Sequence, residues 1–461
     1  MTLIKSISGI RGTIGGKPGE GLTPLDIVKF VSAYAAWLKQ ARGTKRCKVI
    51  VGRDARISGE MLSRLVSYTL CGYGIDVVNL GLATTPTVEV AVTNESADGG
   101  IILTASHNPG HWNALKLLNR HGEFISAREG AIILKIAEEE DFIYADIEQL
   151  GKISSIENYE LRHIRMILDL PLVDVEAIRK AGFCIAVDSV NSVGGVAIPE
   201  LLRELGVREI ISINGEPDGI FTHNPEPLPE HLGELVETVK SRGADVGFVV
   251  DPDVDRLAII SEDGSFFNEE YTLVACADYV LSETPGNTVS NMSSTRALRD
   301  ITAEYGKEWF SSAVGEVNVV EKMKEVNAVI GGEGNGGVIY PDLHYGRDAL
   351  LGIALFLSHL ARSGMKCSEL KLKYPAYSIS KNRIELPQGS DPDDLINRLS
   401  DEMGDRVTSR EDGILIESPG GWVQLRKSNT EAIIRVYSEG HDPESAANLA
   451  SDIIKSVKKM L

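Results

Sequence analysis

The feature that most constrains this chain is a strand-and-loop pattern written three times. Ser96-Ala97-Asp98-Gly99-Gly100-Ile101-Ile102-Leu103-Thr104-Ala105-Ser106 lies over Gly243-Ala244-Asp245-Val246-Gly247-Phe248-Val249-Val250-Asp251-Pro252-Asp253. Both read Ala-Asp-x-Gly, then three apolar residues, then polar chemistry. A third copy, Val326-Asn327-Ala328-Val329-Ile330-Gly331-Gly332-Glu333-Gly334-Asn335, keeps the spacing without the glycine. A short apolar run of this kind is a buried strand. Ser106, Asp253 and Asn335 then stand at equivalent positions in the loops that follow. Ligands of open α/β sheets gather at the C-terminal ends of the strands, so three such units can turn their loops toward one cleft.

The rest of the chain alternates strands with helices, the pattern of an α/β fold. Thr23-Pro24 caps a helix carrying Ile27, Phe30, Val31, Tyr34 and Leu38 on one face, and Val49-Ile50-Val51 is a strand leading to Gly52-Arg53-Asp54-Ala55-Arg56. Further helices are expected at 61–72, 128–141, 195–205, 231–242 and 348–363. Thr288–Asn291 is read as the edge of the third unit. After Tyr374-Pro375 the style changes to paired strands, Trp422–Leu425 and Ile433–Tyr437, and a final helix from Pro443 to Met460. The expected units are 1–151, 152–256, 257–371 and 372–461, the last a smaller α+β domain. At 461 residues, three or four domains with their own cores are expected.

A net charge of -19 argues against nucleic acid, which requires clustered cations. No stretch approaches the roughly 18 apolar residues of a membrane helix. Cys47, Cys71, Cys184, Cys276 and Cys367 form no C-x-x-C pair, as expected of reduced thiols in a cytoplasmic protein.

Three loops carry chemistry besides Thr104-Ala105-Ser106-His107-Asn108-Pro109. Asp251-Pro252-Asp253-Val254-Asp255-Arg256 crowds three carboxylates that repel one another unless a cation intervenes, and hard oxygen ligands suit Mg²⁺. A calcium EF-hand also begins D-x-D-x-D, with Glu262 at its twelfth position here, but Arg256 stands where that loop requires glycine. Gly332-Glu333-Gly334-Asn335-Gly336-Gly337 reads as a flexible loop offering Glu333 and Asn335 to sugar hydroxyls. Arg426-Lys427-Ser428-Asn429-Thr430-Glu431 joins a fork donor to hydroxyls and an amide, a grip for phosphate.

In this order, T-A-S-H-N-P, D-P-D-x-D-R, G-E-x-N-G and R-x-S-N-T-E, the chain resembles the α-D-phosphohexomutase superfamily along its whole length. The resemblance implies three similar α/β domains with mixed sheets, a fourth α+β domain and an active cleft between the four. It implies that Ser106 is phosphorylated and holds one Mg²⁺ with Asp251, Asp253 and Asp255. It places Arg11, His107 and Lys116 at the transferring phosphoryl group, with Lys116 or His107 as general acid/base. Glu333 and Asn335 fall at sugar-reading positions, Arg426, Ser428, Asn429 and Thr430 at the clamp on the distal phosphate, and Arg256 and Arg435 at further substrate-binding positions. Many bacterial members carry serine and histidine where this chain has Asn335 and Gly337.

The activity implied is interconversion of hexose 6-phosphate and hexose 1-phosphate through a hexose 1,6-bisphosphate, which also serves as activator. The branch implied acts on glucosamine 6-phosphate, with the glucose and mannose phosphate branch as the alternative. A silent sugar-phosphate-binding protein and a phosphomonoesterase are the rivals from other classes. The expected partner is a small hexose phosphate, with no nucleic acid and no membrane, for a monomer or homodimer.

Overall fold

The computed structural model describes residues 2–6, 9–43, 46–387, 390–418, 420–428 and 433–461. The first unit is built on strands β1 (Ile4–Ser6), β2 (Gly9–Thr13), β3 (Lys48–Arg53), β4 (Asp76–Leu82), β5 (Gly99–Leu103), β6 (Trp112–Leu118) and β7 (Ile153–Ser155). The second uses β8 (Cys184–Asp188), β9 (Glu209–Ile213), β10 (Val246–Val250) and β11 (Leu257–Ser261). The third uses β12 (Thr288–Asn291), β13 (Trp309–Ser312), β14 (Ile330–Glu333) and β15 (Gly337–Ile339).

The threefold pattern is a threefold topology. The sheets run β1-β2-β6-β5-β3-β4-β7, β11-β10-β8-β9 and β13-β12-β14-β15. Each therefore contains the same four-strand module: β6-β5-β3-β4, β11-β10-β8-β9 and β15-β14-β12-β13. In every module the strand before the chemistry-bearing loop lies parallel to an inner neighbour and antiparallel to the strand that follows the loop. Each loop is thus the connection of a hairpin, pinned at both ends by a ladder. Thr288–Asn291, expected at an edge, is an interior strand between β13 and β14, because its four buried residues need cover on both sides. The cut expected at 256/257 runs through the β10–β11 hairpin, whose apolar Leu257–Ile260 complete the second sheet.

The helices follow the apolar periodicity. That at Pro24–Arg42 starts on a capping box between Thr23 and Asp26 and buries Ile27, Phe30, Val31, Tyr34 and Leu38. The expected 231–242 helix begins at Gly233, after a single 3₁₀ turn at Pro229–His231. Helix Ala349–Ser363 is buried from Ala349 to Leu360, as an all-round apolar helix must be. It is the keel of one continuous core shared by the second and third units, where Phe248 and Phe267 meet Phe356 edge to face at 6.1 and 5.3 Å. Each of these two units also buries a smaller cluster of its own, around Leu235 and Val249 in the second and Val319 and Met323 in the third, and the first and fourth have their own cores.

The fourth unit is an antiparallel sheet, β16 (Ser378–Glu385), β17 (Val407–Ser409), β18 (Ile414–Ser418), β19 (Gly421–Lys427) and β20 (Ile433–Gly440), in the order β16-β20-β19-β18-β17. Helix Pro443–Met460 covers it with Ala446, Ala450, Ile453 and Val457. It docks on the third unit through a Ser293–Gln424 hydrogen bond, the Arg296–Glu417 ion pair and the Arg296 N–H donating to Glu439 at 3.1 Å. No helix among the described residues is long and apolar enough to cross a membrane.

Candidate active site

The Ser106 loop hangs on one buried guanidinium. Arg56 donates from Nη2 to the carbonyls of Ser106 and Asn108 at 2.5 and 2.6 Å, and from Nη1 to those of Pro109 and Trp112 at 2.6 and 3.0 Å. Its Nε donates to Asp54 at 3.0 Å, and Asp54 accepts from the Thr104 hydroxyl at 2.7 Å. Thr104 in turn accepts from the Ser106 N–H at 3.0 Å. Both sides of Ser106 are therefore clamped, which holds a non-glycine residue at φ 49°. The clamp aims the serine at the second unit, and its hydroxyl donates to Asp251 Oδ2 at 2.6 Å.

The acidic loop is equally constrained. Val254, a β-branched residue, sits at φ 62°, a conformation that costs free energy and needs support from its surroundings. Its carbonyl accepts from the Ala349 N–H at 3.2 Å, and the Asp253 carbonyl accepts from the Thr85 N–H at 2.9 Å. Asp251, Asp253 and Asp255 are buried, with one oxygen of each within 4.8 Å of the others. Asp253 Oδ2 accepts from Lys116 and Thr85, both at 2.6 Å. Asp255 Oδ2 accepts from Arg347 at 2.7 Å and lies 3.5 Å from Lys116. The remaining oxygens, Asp253 Oδ1 and Asp255 Oδ1, have no hydrogen-bond partner among the described residues.

A buried carboxylate oxygen left bare is costly, and two in one triad fit a hard divalent cation. The EF-hand alternative is excluded by position, because Glu262 is bound elsewhere, accepting from the Ser368 N–H and hydroxyl at 3.0 and 2.5 Å.

The electrostatics follow from burial against charge. Burial, then Asp255 and Asp253, push the Asp251 carboxyl well above its usual range. Burial would raise Asp253 too, but Lys116 outweighs it and holds the group low. Burial pulls Lys116 down, yet Asp253 and Asp255 together raise it, so it stays charged. His107 Nδ1 lies 3.4 Å from the Ser106 hydroxyl, and Arg256, burial, Arg11 and Lys116 depress its pKa. Arg11, on β2, has its pKa lowered by burial and by the charge of Arg256. Arg256 Nε stands 3.7 Å from Asp255 and 4.0 Å from Asp251 and lacks a hydrogen-bond partner among the described residues. Ser106, His107, Lys116, Arg11, Arg256 and the triad are thus one cluster.

The segment that carries Glu333 and Asn335 differs from the expected flexible loop. The segment is a tight turn, residues 334–336, between β14 and β15 rather than a flexible loop, because Glu333 pairs directly with Gly337. Glu333 is buried, ion-paired to Arg347, and accepts from Asn291 at 2.7 Å and from the Gly315 N–H at 3.0 Å. Burial would raise its pKa, but Arg347 outweighs that and lowers it. The Gly336 carbonyl accepts from the Leu257 N–H at 3.0 Å, tying this turn to the acidic loop. A Cβ on Gly334 would overlap the buried Glu270 carboxylate. Gly334→Ala is expected to cost about 1–3 kcal/mol, as overpacking does, and to lower turnover by displacing the turn. Urea unfolding and a turnover assay on the same preparation check both.

Arg426 and Arg435 face each other across the β19–β20 ladder. Arg426 lies 6.0 Å from the Tyr437 ring, Arg435 donates to the Tyr437 hydroxyl at 3.4 Å, and the Ser428 N–H donates to Ile433 at 3.0 Å. These described contacts stay inside the fourth unit. Asn429 and Thr430 lie outside the described residues.

Sequence reasoning missed Arg347 and the Arg56–Asp54 pair. Arg347 reaches Asp255, Glu316 and Glu333 at once, joining the acidic loop to the turn. The signal was a charged pair, Arg347-Asp348, at the mouth of a helix apolar from Ala349 to Leu357, a place where charges are costly unless paired.

Family models of phosphoglucomutase/phosphomannomutase match four successive stretches: alpha/beta/alpha domain I over 3–144, domain II over 162–264, domain III over 268–377 and the C-terminal domain over 386–456. A relative from Thermococcus kodakarensis, named phosphoglucomutase/phosphomannomutase, is 37% identical over 457 residues, 98% of each chain. The chain belongs to the phosphoglucomutase/phosphomannomutase family. A relative of this phosphohexomutase from Methanopyrus kandleri, named probable phosphoglucosamine mutase, is 34% identical over 98% of this chain and 97% of its own. The crystal structure of a family protein from Burkholderia thailandensis is 26% identical with a TM-score of 0.84, covering 99% of this chain and 98% of that one. The phosphohexomutase is accordingly an isomerase of carbohydrate metabolism, and its acidic triad fits a metal site.

Proposed function

We propose that this phosphohexomutase interconverts glucosamine 6-phosphate and glucosamine 1-phosphate through phosphorylated Ser106 and a bound 1,6-bisphosphate. The observation that carries the mechanism is the 2.6 Å hydrogen bond from the Ser106 hydroxyl to a buried triad with two bare carboxylate oxygens. Asp251, Asp253, Asp255 and the phosphoserine would hold one Mg²⁺, whose charge offsets that of the phosphoryl group. The sugar hydroxyl attacks the phosphorus of phospho-Ser106, the P–Oγ bond breaks, and His107 takes the hydroxyl proton, a role open to Lys116 only in its deprotonated form. Arg11, Arg256 and Lys116 offset the charge spread over the moving phosphoryl oxygens. The bisphosphate then presents its other phosphate to Ser106. Glu333 and Asn335 read sugar hydroxyls that both orientations share, and Arg426, Ser428, Asn429, Thr430 and Arg435 grip the distal phosphate.

The glucosamine choice draws support from the Methanopyrus kandleri relative, and the Thermococcus kodakarensis relative favours a second reading, glucose and mannose phosphates. The test is kcat/KM for the three 6-phosphates with the bisphosphate held constant. A glucosamine preference supports the first reading; a preference for glucose or mannose establishes the second. Turnover that ignores the bisphosphate and releases inorganic phosphate would defeat both in favour of a phosphomonoesterase.

The clamp has its own expected result. Arg426 Nε has no hydrogen-bond partner among the described residues, so it is available to an anion. Arg426→Ala is expected to weaken hexose phosphate binding by about 1.5–3 kcal/mol, the scale of one hydrogen bond to a charged group. Phosphorylation of Ser106 by a small phosphoryl donor should be unchanged, and equal loss of both would remove Arg426 from the clamp.

A further inference from the structure

Among the described residues, two clusters bring three metal-ligating atoms within 4.8 Å of one another. One is the aspartate triad. The other, His163, His344 and Asp348, takes no part in the chemistry above. His163 Nε2 and His344 Nε2 lie 2.9 and 3.3 Å from the same Asp348 oxygen, Oδ2. The other Asp348 oxygen caps helix Ala349–Ser363, accepting from the Leu350 and Leu351 N–H groups at 2.9 and 3.2 Å, so the carboxylate is fixed in direction. The side chains of His163 and Asp348 have no exposure and that of His344 is 9% exposed.

Behind each imidazole stands a second polar group. The Thr87 hydroxyl lies 3.1 Å from His163 Nδ1 and 2.7 Å from the Thr84 hydroxyl. Glu89 Oε2 lies 3.4 Å from His344 Nδ1, and both carboxylate oxygens of this wholly buried side chain lack a hydrogen-bond partner among the described residues. Each histidine thus turns one nitrogen to Asp348 Oδ2 and the other toward a hydroxyl or carboxylate, His344 Nδ1 without a hydrogen bond among the described residues, and groups so placed behind an imidazole orient it toward a metal.

We propose that His163, His344 and Asp348 form a second metal site, one for Zn²⁺, at the junction of the first three units. Two imidazoles and a carboxylate suit borderline transition ions, whereas the all-oxygen triad suits Mg²⁺, so the two sites select different metals. Ligands about 2.0–2.1 Å from a tetrahedral zinc stand roughly 3.3 Å apart, so the observed 2.9 and 3.3 Å need only a small spreading. A dication also offsets two buried carboxylates, Asp348 and Glu89, that no lysine or arginine pairs with at ion-pair distance among the described residues. The site is structural. Thr87 and Glu89 come from the first unit, His163 from the start of the second, and His344 and Asp348 from the third, next to the Arg347 that holds Asp255 and Glu333.

The test uses the full chain, loaded with Zn²⁺ and dialysed against chelator in excess Mg²⁺. Elemental analysis should find one retained zinc per chain in the wild type and in Asp253→Asn, and none in the His163→Gln/His344→Gln double variant. Its removal should lower the melting temperature more than turnover per folded molecule. Wild-type protein loaded with Co²⁺ should show the intense visible absorption of nitrogen-ligated tetrahedral cobalt, a readout that needs no variant to fold. A wild type that retains no zinc, zinc held equally by the double variant, or a pale six-coordinate cobalt spectrum would each overturn the site and leave a hydrogen-bonded network.

Discussion

Asp253→Asn is expected to lower kcat by at least about two orders of magnitude, equivalent to roughly 2.7 kcal/mol of transition-state stabilisation. The substitution keeps the size of the side chain and can still accept from Thr85 and Lys116. It removes one of three charges facing the cation site and turns the bare Asp253 Oδ1 position into part of a neutral amide. A metal's charge contribution to a phosphoryl transition state is several kcal/mol, so a weakly held cation is felt mainly in turnover. Stability should fall as well, because the substitution takes from buried Lys116 its closest carboxylate, a loss that relieved repulsion within the triad offsets only in part. The measurements are steady-state kinetics across Mg²⁺ concentration and a thermal melt. Wild-type kcat with a lowered melting temperature would make the loop structural rather than catalytic.

Arg56→Lys is the second large expected effect. The guanidinium satisfies five acceptors: Asp54 and the carbonyls of Ser106, Asn108, Pro109 and Trp112. A lysine offers three donors from a single point, so at least two of these acceptors, three of them part-buried, lose the donor they now have. At about 1–3 kcal/mol for each orphaned group, the loss is roughly 2–6 kcal/mol. Part of that appears as a lower urea midpoint. The rest appears in kcat, because Ser106 is released from its left-handed conformation and drifts off the triad. With sugar and distal phosphate held by the third and fourth units as proposed, KM should move little. Unchanged kcat per folded molecule would show that Arg56 supports the fold and not the serine's aim.

What was legible beforehand has a physical pattern. The strand-loop repeat could be read because three apolar residues between Asp-x-Gly and a polar loop are a local signal, and the register of β5 and β10 preserves it. The triad could be read because like charges crowded into one loop demand an explanation within that loop. Arg56 and Arg347 could not be read in the same way. Apart from Asp54, two residues from Arg56, their partners are carbonyls and carboxylates distant in the chain, and no local periodicity marks a guanidinium whose other acceptors the fold alone assembles. Glu333 was read as part of a flexible loop, because its fixed place depends on pairing with Gly337 and on Arg347, fourteen residues on. The shared core of the second and third units was hidden for the same reason: helix Ala349–Ser363 is apolar all round, and sequence does not say which two sheets it lies between.

The most direct test is the chemical state of Ser106. Purified protein incubated with glucose 1,6-bisphosphate and Mg²⁺ is measured by intact mass and peptide mapping, beside Ser106→Ala. One added phosphate on Ser106, absent from the variant and discharged by excess hexose 6-phosphate, is the predicted result. An unmodified serine under those conditions, or a fully active Ser106→Ala enzyme, would contradict it.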